Sequence, residues 1–291
     1  MENETTFNNF LCGGNLTHGS LFSGIGGFEI GADKAGIETL WNCEFEEHNR
    51  NILMKHFSDT KQYFDVREMQ SPGYVDIISG GFPCQDLSIA NQSKKSFKED
   101  GNKKGIDGER SGLWSEMWRI IADVRPRYVL IENSPMLVIR GLERVISDLA
   151  RIGYVCEWQC LFASQFGYNH SRKRIFIIAY PSQERCEDNS TAFQELPKIL
   201  QQRPPRQNPL SMPFKRFNRN SDYELLRMDD GFSKELDKQR IEMMGNAVVP
   251  DIAHYLFECI KNHIALKKQK REEKKIIITD LQEKAEYGTR M

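Results

Sequence analysis

A glycine-rich turn separates two apolar runs in the stretch Leu21-Phe22-Ser23-Gly24-Ile25-Gly26-Gly27-Phe28. The run before it, Ser20 to Phe22, predicts a strand, and the run after it, Phe28 to Ala35, has the apolar spacing of a helix. Glycines let the backbone turn sharply and leave room for a ligand at the strand end, where α/β sheets bind nucleotides. The stretch therefore predicts an α/β fold with a ligand loop, although a turn that binds nothing can look the same.

The alternation of short apolar runs with longer amphipathic runs continues from residue 18 to residue 180. It predicts an α/β, doubly wound, Rossmann-like sheet with helices on both faces. Further strands are predicted over Glu38 to Cys43, Val75 to Ser79, Tyr128 to Glu132 and Ile175 to Ala179. Further helices are predicted over Glu47 to His56, Trp114 to Val124, Leu137 to Ile152 and Asp251 to Ile264.

Two segments interrupt this alternation. Ser88 to Gly112 is polar and too long for an ordinary connection, which predicts a mobile functional loop. From Pro181 to about Arg240 the periodicity disappears and six of the eleven prolines cluster, which predicts a small separate lobe. We therefore expect a main domain over residues 1–180, the lobe over 181–240, a return to the main domain over 241–264 and a charged C-terminal tail over 265–291.

Composition excludes several classes of protein. The 291 residues suffice for one large α/β domain with a small insertion. The chain has neither a run of about 18 apolar residues nor a signal-like N-terminus, which predicts a soluble, cytoplasmic protein with no membrane partner. Seven scattered cysteines without CxxC spacing argue against disulfides and against a metal site. Because the net charge is only -1, binding to nucleic acid would require a local basic face.

Two acidic residues extend the predicted ligand site. Glu44 ends the second apolar run, where a carboxylate can accept hydrogen bonds from ribose hydroxyls, and Asp65 lies at the next expected strand end. The third glycine of the dinucleotide fingerprint is replaced by Glu29, and the chain has no GKS or GKT phosphate loop. These features favour an adenosine ligand without a pyrophosphate, with S-adenosylmethionine as the leading candidate.

A single cysteine has the setting of a nucleophile. Cys84 follows a predicted strand in Gly80-Gly81-Phe82-Pro83-Cys84-Gln85. A cysteine is more often a small buried apolar residue than a catalyst, but a glycine-proline turn holds this one at a loop entrance. Nearby cations would favour the thiolate. The following loop supplies Lys94, Lys95, Lys98, Lys103 and Lys104.

A carboxylate and two arginines follow later strands. Glu132 ends the strand predicted from Tyr128, where it could either cap the next helix or act as an acid beside Cys84. Arg172 and Arg174 occupy alternate positions, so in an extended chain they point to the same side. A solvated basic patch and an anion clamp remain alternatives for this pair.

In their order, these motifs resemble those of the cytosine-C5 DNA methyltransferases. The resemblance covers about residues 18–180 and 240–264, and its most specific parts are Pro83-Cys84-Gln85 and Gly245-Asn246-Ala247-Val248-Val249-Pro250. It implies an S-adenosylmethionine-dependent methyltransferase fold, in which the final motif returns to the large domain to complete the cofactor pocket, and a small target-recognition lobe between the two parts of that domain. It also implies methyl transfer to carbon 5 of a flipped-out cytosine, through a covalent bond between Cys84 and carbon 6.

The resemblance implies a role for each matching residue. Cys84 would be the nucleophile, Glu132 the partner of cytosine N3, and Arg172 and Arg174 the clamp. The implied cofactor pocket consists of Phe22, Gly24, Gly26, Gly27, Glu44, Phe45, Asp65, Val66, Pro83, Leu113 and Asn246. The chain departs from the family pattern at His170, where glutamine is usual, at Ser134, where valine is frequent, and in an insert of only about sixty residues.

Double-stranded DNA is the implied partner, in the cytoplasm of a bacterium or a phage-infected cell. A monomer is expected, and a restriction endonuclease would be a functional companion in a restriction-modification pair. The segment Lys198 to Arg219 has six basic residues and no acidic one, which fits DNA binding or a disordered basic linker. Rival functions are a tRNA cytosine-C5 methyltransferase, a catalytically silent DNA-binding relative and a nicotinamide-dependent oxidoreductase. The missing third glycine disfavours the oxidoreductase.

Overall fold

A computed structural model describes residues 15–83, 113–168, 170–184, 190–202 and 247–288. In these ranges one seven-stranded sheet has the order β3-β2-β1-β4-β5-β7-β6. Strands β1 to β5 pair in parallel, whereas β7 runs antiparallel to both of its neighbours. The strands are β1 (Thr17–Leu21), β2 (Glu38–Cys43), β3 (Lys61–Tyr63), β4 (Ile77–Gly80), β5 (Tyr128–Asn133), β6 (Tyr154–Phe162) and β7 (Lys173–Pro181).

Helices cover both faces of this sheet, which confirms the predicted α/β class. They are α1 (Gly27–Lys34), α2 (Glu47–His56), α3 (Leu113–Val124), α4 (Leu137–Arg140), α5 (Leu142–Arg151), α6 (Leu196–Gln202) and α7 (Pro250–Gly288). Short 3-10 turns lie at Ala163–Phe166, Ser182–Glu184 and Ala192–Glu195. Among the described residues, no helix is both long enough and apolar enough to cross a membrane.

The sheet separates two hydrophobic cores. Side chains alternate across a strand, so Val129 and Ile131 of β5 pack with α3 and α5, whereas Tyr128 and Leu130 pack with α1 and α7. Every residue of β5 is buried. Burial on both faces explains why β5 and β7 contain continuous apolar runs, which made these strands predictable.

Two strands and one helix break escaped prediction. Strand β3 has only three residues, and β6 lies at the sheet edge with much of its length partly exposed, so neither has a continuous apolar run. The helix predicted over Leu137 to Ile152 is divided into α4 and α5 at Gly141. One apolar spacing continues through both helices, and such a spacing predicts helix without revealing an interruption of a single residue.

The last helix is longer than the prediction of Asp251 to Ile264. Helix α7 spans 39 residues and includes the charged run that begins at Lys267. Lysine, arginine and glutamate are good helix formers, but a stretch without an apolar face has no periodic signal. Lys267 itself is buried; its Nζ donates to the Tyr128 hydroxyl at 3.0 Å and lies 4.1 Å from the centre of the Tyr180 ring.

Part of the predicted lobe packs on the sheet domain. Ala192, Phe193 and Leu196 are buried in the same core as α1 and α7. Residues 203–246 and the predicted loop from Ser88 to Gly112 lie outside the described residues. The proposed domain boundaries therefore remain predictions.

Candidate active site

The predicted site residues that the structure describes gather at the carboxyl edge of the parallel strands. Phe22 follows β1, Glu44 follows β2, Gly81 follows β4, and Glu132 is the penultimate residue of β5. Strand β1 pairs with β2 on one side and with β4 on the other. Strands β2 and β3 are added on the first side and β4 and β5 on the second, so the strand order reverses between β1 and β4. Crevices at such switch points are the usual ligand sites of open α/β sheets.

The glycine loop has a backbone that few other residues could adopt. Phe22, Gly24 and Gly26 all have positive φ, at 56°, 58° and 92°. A Cβ atom on Gly27 would lie 2.4 Å from the carbonyl oxygen of Val248, in the final motif. The loop therefore packs directly against the chain segment that the resemblance assigns to the same pocket.

Glu44 holds this loop in place. It is 8 % exposed; its Oε2 accepts from the Gly24 amide at 2.7 Å, while Oε1 accepts from the Glu46 amide at 2.9 Å and from Asn49 Nδ2 at 3.2 Å. A carboxylate offers about four acceptor positions. These contacts leave about one for a ligand hydroxyl, so accepting two would require Asn49 to move.

An open surface with an aromatic ring adjoins Glu44. The Phe45 ring is 62 % exposed, and the Arg67 guanidinium lies 5.6 Å from its centre. Arg67 also pairs with Asp65 at 2.6 Å, and its hydrogen bonds to that carboxylate lower the pKa of Asp65. The Val66 side chain packs in the core, and its carbonyl oxygen accepts from Arg119 Nη2 at 2.8 Å.

The segment that leads to Cys84 passes beside Glu132. A Cβ atom on Gly81 would lie 3.2 Å from Glu132 Oε2, so glycine permits this approach. Asn133 Nδ2 donates to the Phe82 carbonyl at 3.1 Å, which ties the two strand ends together. The sequence predicted no role for Asn133; it shows an amide directly after Glu132, whereas the burial of that amide and its bond to Phe82 are found only in the structure.

Four of the predicted residues lie at or beyond the limits of what the structure describes here. Pro83 is half-buried and precedes the undescribed segment, and Leu113 begins α3 after it, packed against the core. Cys84 lies outside the described residues, as does Asn246.

Glu132 is a buried acid paired with an arginine. Its Oε1 lies 2.9 Å from Arg174 Nε in an ion pair, and the residue is 7 % exposed. Burial raises the pKa of Glu132, and this effect exceeds the opposing influence of the Arg174 and Arg172 charges. The site therefore contains a carboxyl group that is easier to protonate than an exposed glutamate.

Arg172, directly before β7, and Arg174, within it, point to the same side of the chain, as their alternation predicts. Both guanidinium charges act on Glu132, and both residues line a small cavity with it. Arg172 Nη2 also donates to the Ala247 carbonyl at 2.8 Å. The clamp region is thereby joined to the final motif, a link that the spacing of the arginines could not reveal.

Comparison with known proteins agrees with this geometry. The fold is that of the S-adenosylmethionine-dependent methyltransferases. Residues 16–228 match the model of the C-5 cytosine-specific DNA methylases, and the chain belongs to this family.

Curated relatives carry the same kind of name. The type II methyltransferase M2.BsuMI of Bacillus subtilis is 34 % identical over 168 residues, 55 % of this chain and 41 % of the relative. M.CviJI of Paramecium bursaria Chlorella virus IL3A is 33 % identical over 183 residues, 60 % of this chain and 47 % of the relative. The chain therefore spans less than half the length of these two relatives.

One solved structure supports the fold over most of the chain. The methyltransferase EhMeth of Entamoeba histolytica has a TM-score of 0.57 and 15 % identity, with coverage of 87 % of this chain and 99 % of that protein. At this identity the likeness concerns the fold alone.

Proposed function

We propose that the protein is a DNA (cytosine-5-)-methyltransferase that acts on cytosine within a specific sequence of double-stranded DNA, with S-adenosylmethionine as methyl donor. The observation that carries the proposal is the buried Glu132–Arg174 ion pair beside the backbone that leads to Cys84. Membership of the C-5 cytosine-specific DNA methylase family supports it. The names of the curated relatives point to the same activity.

The described residues fit the methyl donor. When bound, S-adenosylmethionine supplies an electrophilic methyl group on sulfur. The remaining acceptor position of Glu44 suits a ribose hydroxyl, and the exposed Phe45 ring suits an adenine face. Phe22 and the glycines would surround the methionine part, Asp65 and the Val66 backbone the adenine edge. Pro83, Leu113 and Asn246 would close the pocket.

The cytosine chemistry belongs to Cys84 and Glu132. The Cys84 thiolate would add to carbon 6, while Glu132 gives a proton or hydrogen bond to N3, so that carbon 5 gains the electron pair with which it attacks the methyl group. The sulfur would keep the electron pair of the broken bond, giving S-adenosylhomocysteine. Loss of the carbon 5 proton to a base, return of the N3 proton to Glu132 and departure of the thiolate would then restore the 5,6 double bond. Arg174 would hold cytosine O2 and keep Glu132 oriented.

Carbon 6 of a stacked, paired cytosine is inaccessible to a thiolate. The target base would therefore leave the duplex, at a cost of about a few kcal/mol that contacts in the pocket offset. The buried pair of Glu132 and Arg174 recognises polar atoms that a paired cytosine does not present together.

Labelled S-adenosylmethionine tests this proposal. The protein is incubated with unmethylated genomic duplex DNA and, separately, with tRNA, and 5-methylcytosine is mapped by sequencing. Label should enter DNA at one sequence, Cys84→Ser should abolish it, and Cys160→Ser, at a half-buried free cysteine on β6, should retain it. Normal methylation by Cys84→Ser, or label in tRNA alone, contradicts the proposal.

A further inference from the structure

A polar cluster lies behind the glycine loop, on the face of the sheet that α1 and α7 cover. It consists of Glu29 of α1, Ser20 of β1, Ser23 of the loop and Asn42 of β2. Ser20 and Asn42 are opposite each other in the parallel register. Their side chains point away from the core under α3, because neighbouring residues of both strands pack there. The four polar side chains are all buried.

Two members of this cluster lack partners among the described residues. Glu29 is 0 % exposed, and in the described part of the chain neither of its carboxyl oxygens has a hydrogen-bond partner at full geometry, although the hydroxyls of Ser20 and Ser23 lie close enough to influence its pKa. The side-chain nitrogen and oxygen of Asn42 are also buried without a hydrogen-bond partner among the described residues. A buried carboxylate with so few well-placed donors is strongly unfavourable, whereas a neutral carboxyl costs far less and can itself donate a hydrogen bond. The surroundings therefore favour the neutral acid.

The groups around Glu29 reinforce this preference. Burial raises the pKa of Glu29 to about 7; the hydroxyls of Ser23 and Ser20 oppose that shift, and the negative charge of Glu44 adds to it. On β1, burial keeps His18 neutral by lowering its pKa to about 3. The facing part of α7 carries two ion-paired acids and one histidine. Asp251 pairs with Lys34, Glu258 pairs with Lys261, and the histidine is His254.

Ser23 connects the cluster to the loop. Its Oγ donates to Ser20 Oγ at 3.0 Å, its backbone amide donates to the Cys43 carbonyl at 3.1 Å, and its carbonyl accepts from the Gly26 amide at 3.0 Å. The next residue, Gly24, is held by Glu44. A charge on Glu29 would therefore act on both supports of the loop, through Ser23 and by repulsion of Glu44.

We propose that Glu29 is a positioning residue for the methyl donor and that it acts as the neutral acid. Its O–H bonds within the cluster and fixes Ser23, whereas the anion repels Glu44 and loosens the loop. Cofactor affinity then falls as Glu29 loses its proton. This inference rests on the proposed function, because it takes S-adenosylmethionine as the ligand of the loop.

Binding of S-adenosylmethionine without DNA, measured by calorimetry between pH 6 and pH 9, tests the inference. In the wild-type protein, the Kd should rise about tenfold per pH unit above about pH 7, the slope for linkage to one proton. Glu29→Gln, which is neutral at every pH, should remove this slope. Asp33→Asn, at an exposed acid on the same helix, should retain it.

The outcomes separate the two proposals. If Glu29→Gln keeps the wild-type slope, the role of Glu29 is overturned while the proposed function stands. If the wild-type protein binds no S-adenosylmethionine even at pH 6, the proposed function fails and the inference with it.

A second measurement needs no variant. Carboxyl carbon NMR of the wild-type protein, with Glu29 assigned through its side-chain correlations, should show a titration near pH 7 that moves upward when S-adenosylmethionine binds. Titration near the ordinary glutamate value, or no movement on binding, overturns the inference even if Glu29→Gln does not fold.

Discussion

Two opposing influences act on the pKa of Glu132. Burial disfavours its anion, while the nearby guanidinium of Arg174 favours it, and burial dominates because the pKa is raised. An acid in this balance can share a proton with a bound base and still be oriented by a cation. The residue type and its place at a strand end were predictable from the sequence, whereas burial and the contact with Arg174 depend on β7, which is distant in sequence.

Glu132→Gln removes the acidic proton of the carboxyl group but keeps the size of the side chain. Because a positioned general acid contributes about 10² to 10⁴ in rate, single-turnover methyl transfer to DNA should slow by that factor, with the Kd for S-adenosylmethionine unchanged. Glu143→Gln, at an exposed acid of α5, is the control and should transfer at the wild-type rate. An unaltered rate for Glu132→Gln would remove the assigned role.

His18 should make folding sensitive to acid. It is fully buried between Thr39 Oγ1 at 2.9 Å and Ser79 Oγ at 2.7 Å, and burial lowers its pKa to about 3. The unfolded chain binds a proton near pH 6.5 and the folded chain does not, so this contribution to stability is present above pH 6.5 and is lost as the pH falls towards 3.

Urea unfolding measures this effect. Between pH 6 and pH 4 the free energy of unfolding should drop by about 1.4 kcal/mol per pH unit more in the wild-type protein than in His18→Asn, since one proton is linked. Parallel pH profiles for the two proteins would show that His18 already titrates normally in the folded state.

Some helices and strands are predicted more clearly by their sequences than others. The central strands were predictable because they are buried on both faces, and α1 and α3 because each has one apolar face. The end of α7 was not, since its later residues are solvated and charged. Contacts between elements were also unpredictable: the approach of Val248 to Gly27 and of Ala247 to Arg172 requires the chain to return after residue 246.

Gly27 lies where α1 meets the final motif, and this junction leaves no room for a side chain. In Gly27→Ala the new methyl would meet the Val248 carbonyl at 2.4 Å, so α1 and the final motif must separate. Stability and S-adenosylmethionine binding should both fall. In Gly153→Ala, where φ is 81° but nothing lies within 4 Å, the cost should be limited to backbone strain of about 1–2 kcal/mol. Equal losses in the two variants, measured by urea unfolding, would contradict this account.

Lys267 anchors α7 where the helix leaves the core. Its ammonium contacts the Tyr128 hydroxyl and the Tyr180 ring, so Lys267→Ala should lower the free energy of unfolding by about 1–3 kcal/mol through lost packing, hydrogen bonding and cation–π attraction. Lys268→Ala, at the exposed neighbouring residue, should change it by less than about 0.5 kcal/mol. Similar values for both would show that burial of Lys267 has no energetic consequence.

The whole molecule unites residues that are far apart in sequence at one edge of one sheet. The order β3-β2-β1-β4-β5-β7-β6 brings the glycine loop, the start of the Cys84 segment and Glu132 to adjacent strand ends. Motif order allowed this arrangement to be anticipated through the family resemblance, and the family is confirmed. Hydrogen bonds such as that from Asn133 to Phe82 could not be anticipated, because they depend on the three-dimensional register of separate strands.

A covalent bond between Cys84 and carbon 6 of cytosine is the central step of the proposed mechanism. Fluorine at carbon 5 cannot leave as a proton does, so duplex DNA that contains 5-fluorocytosine at the methylated position should trap the adduct in the presence of S-adenosylmethionine. Mass spectrometry of the digested complex should place the DNA on Cys84, with the same complex in Cys160→Ser and none in Cys84→Ser. A stable complex at another residue, or none in a protein that methylates the unmodified DNA, would contradict the mechanism.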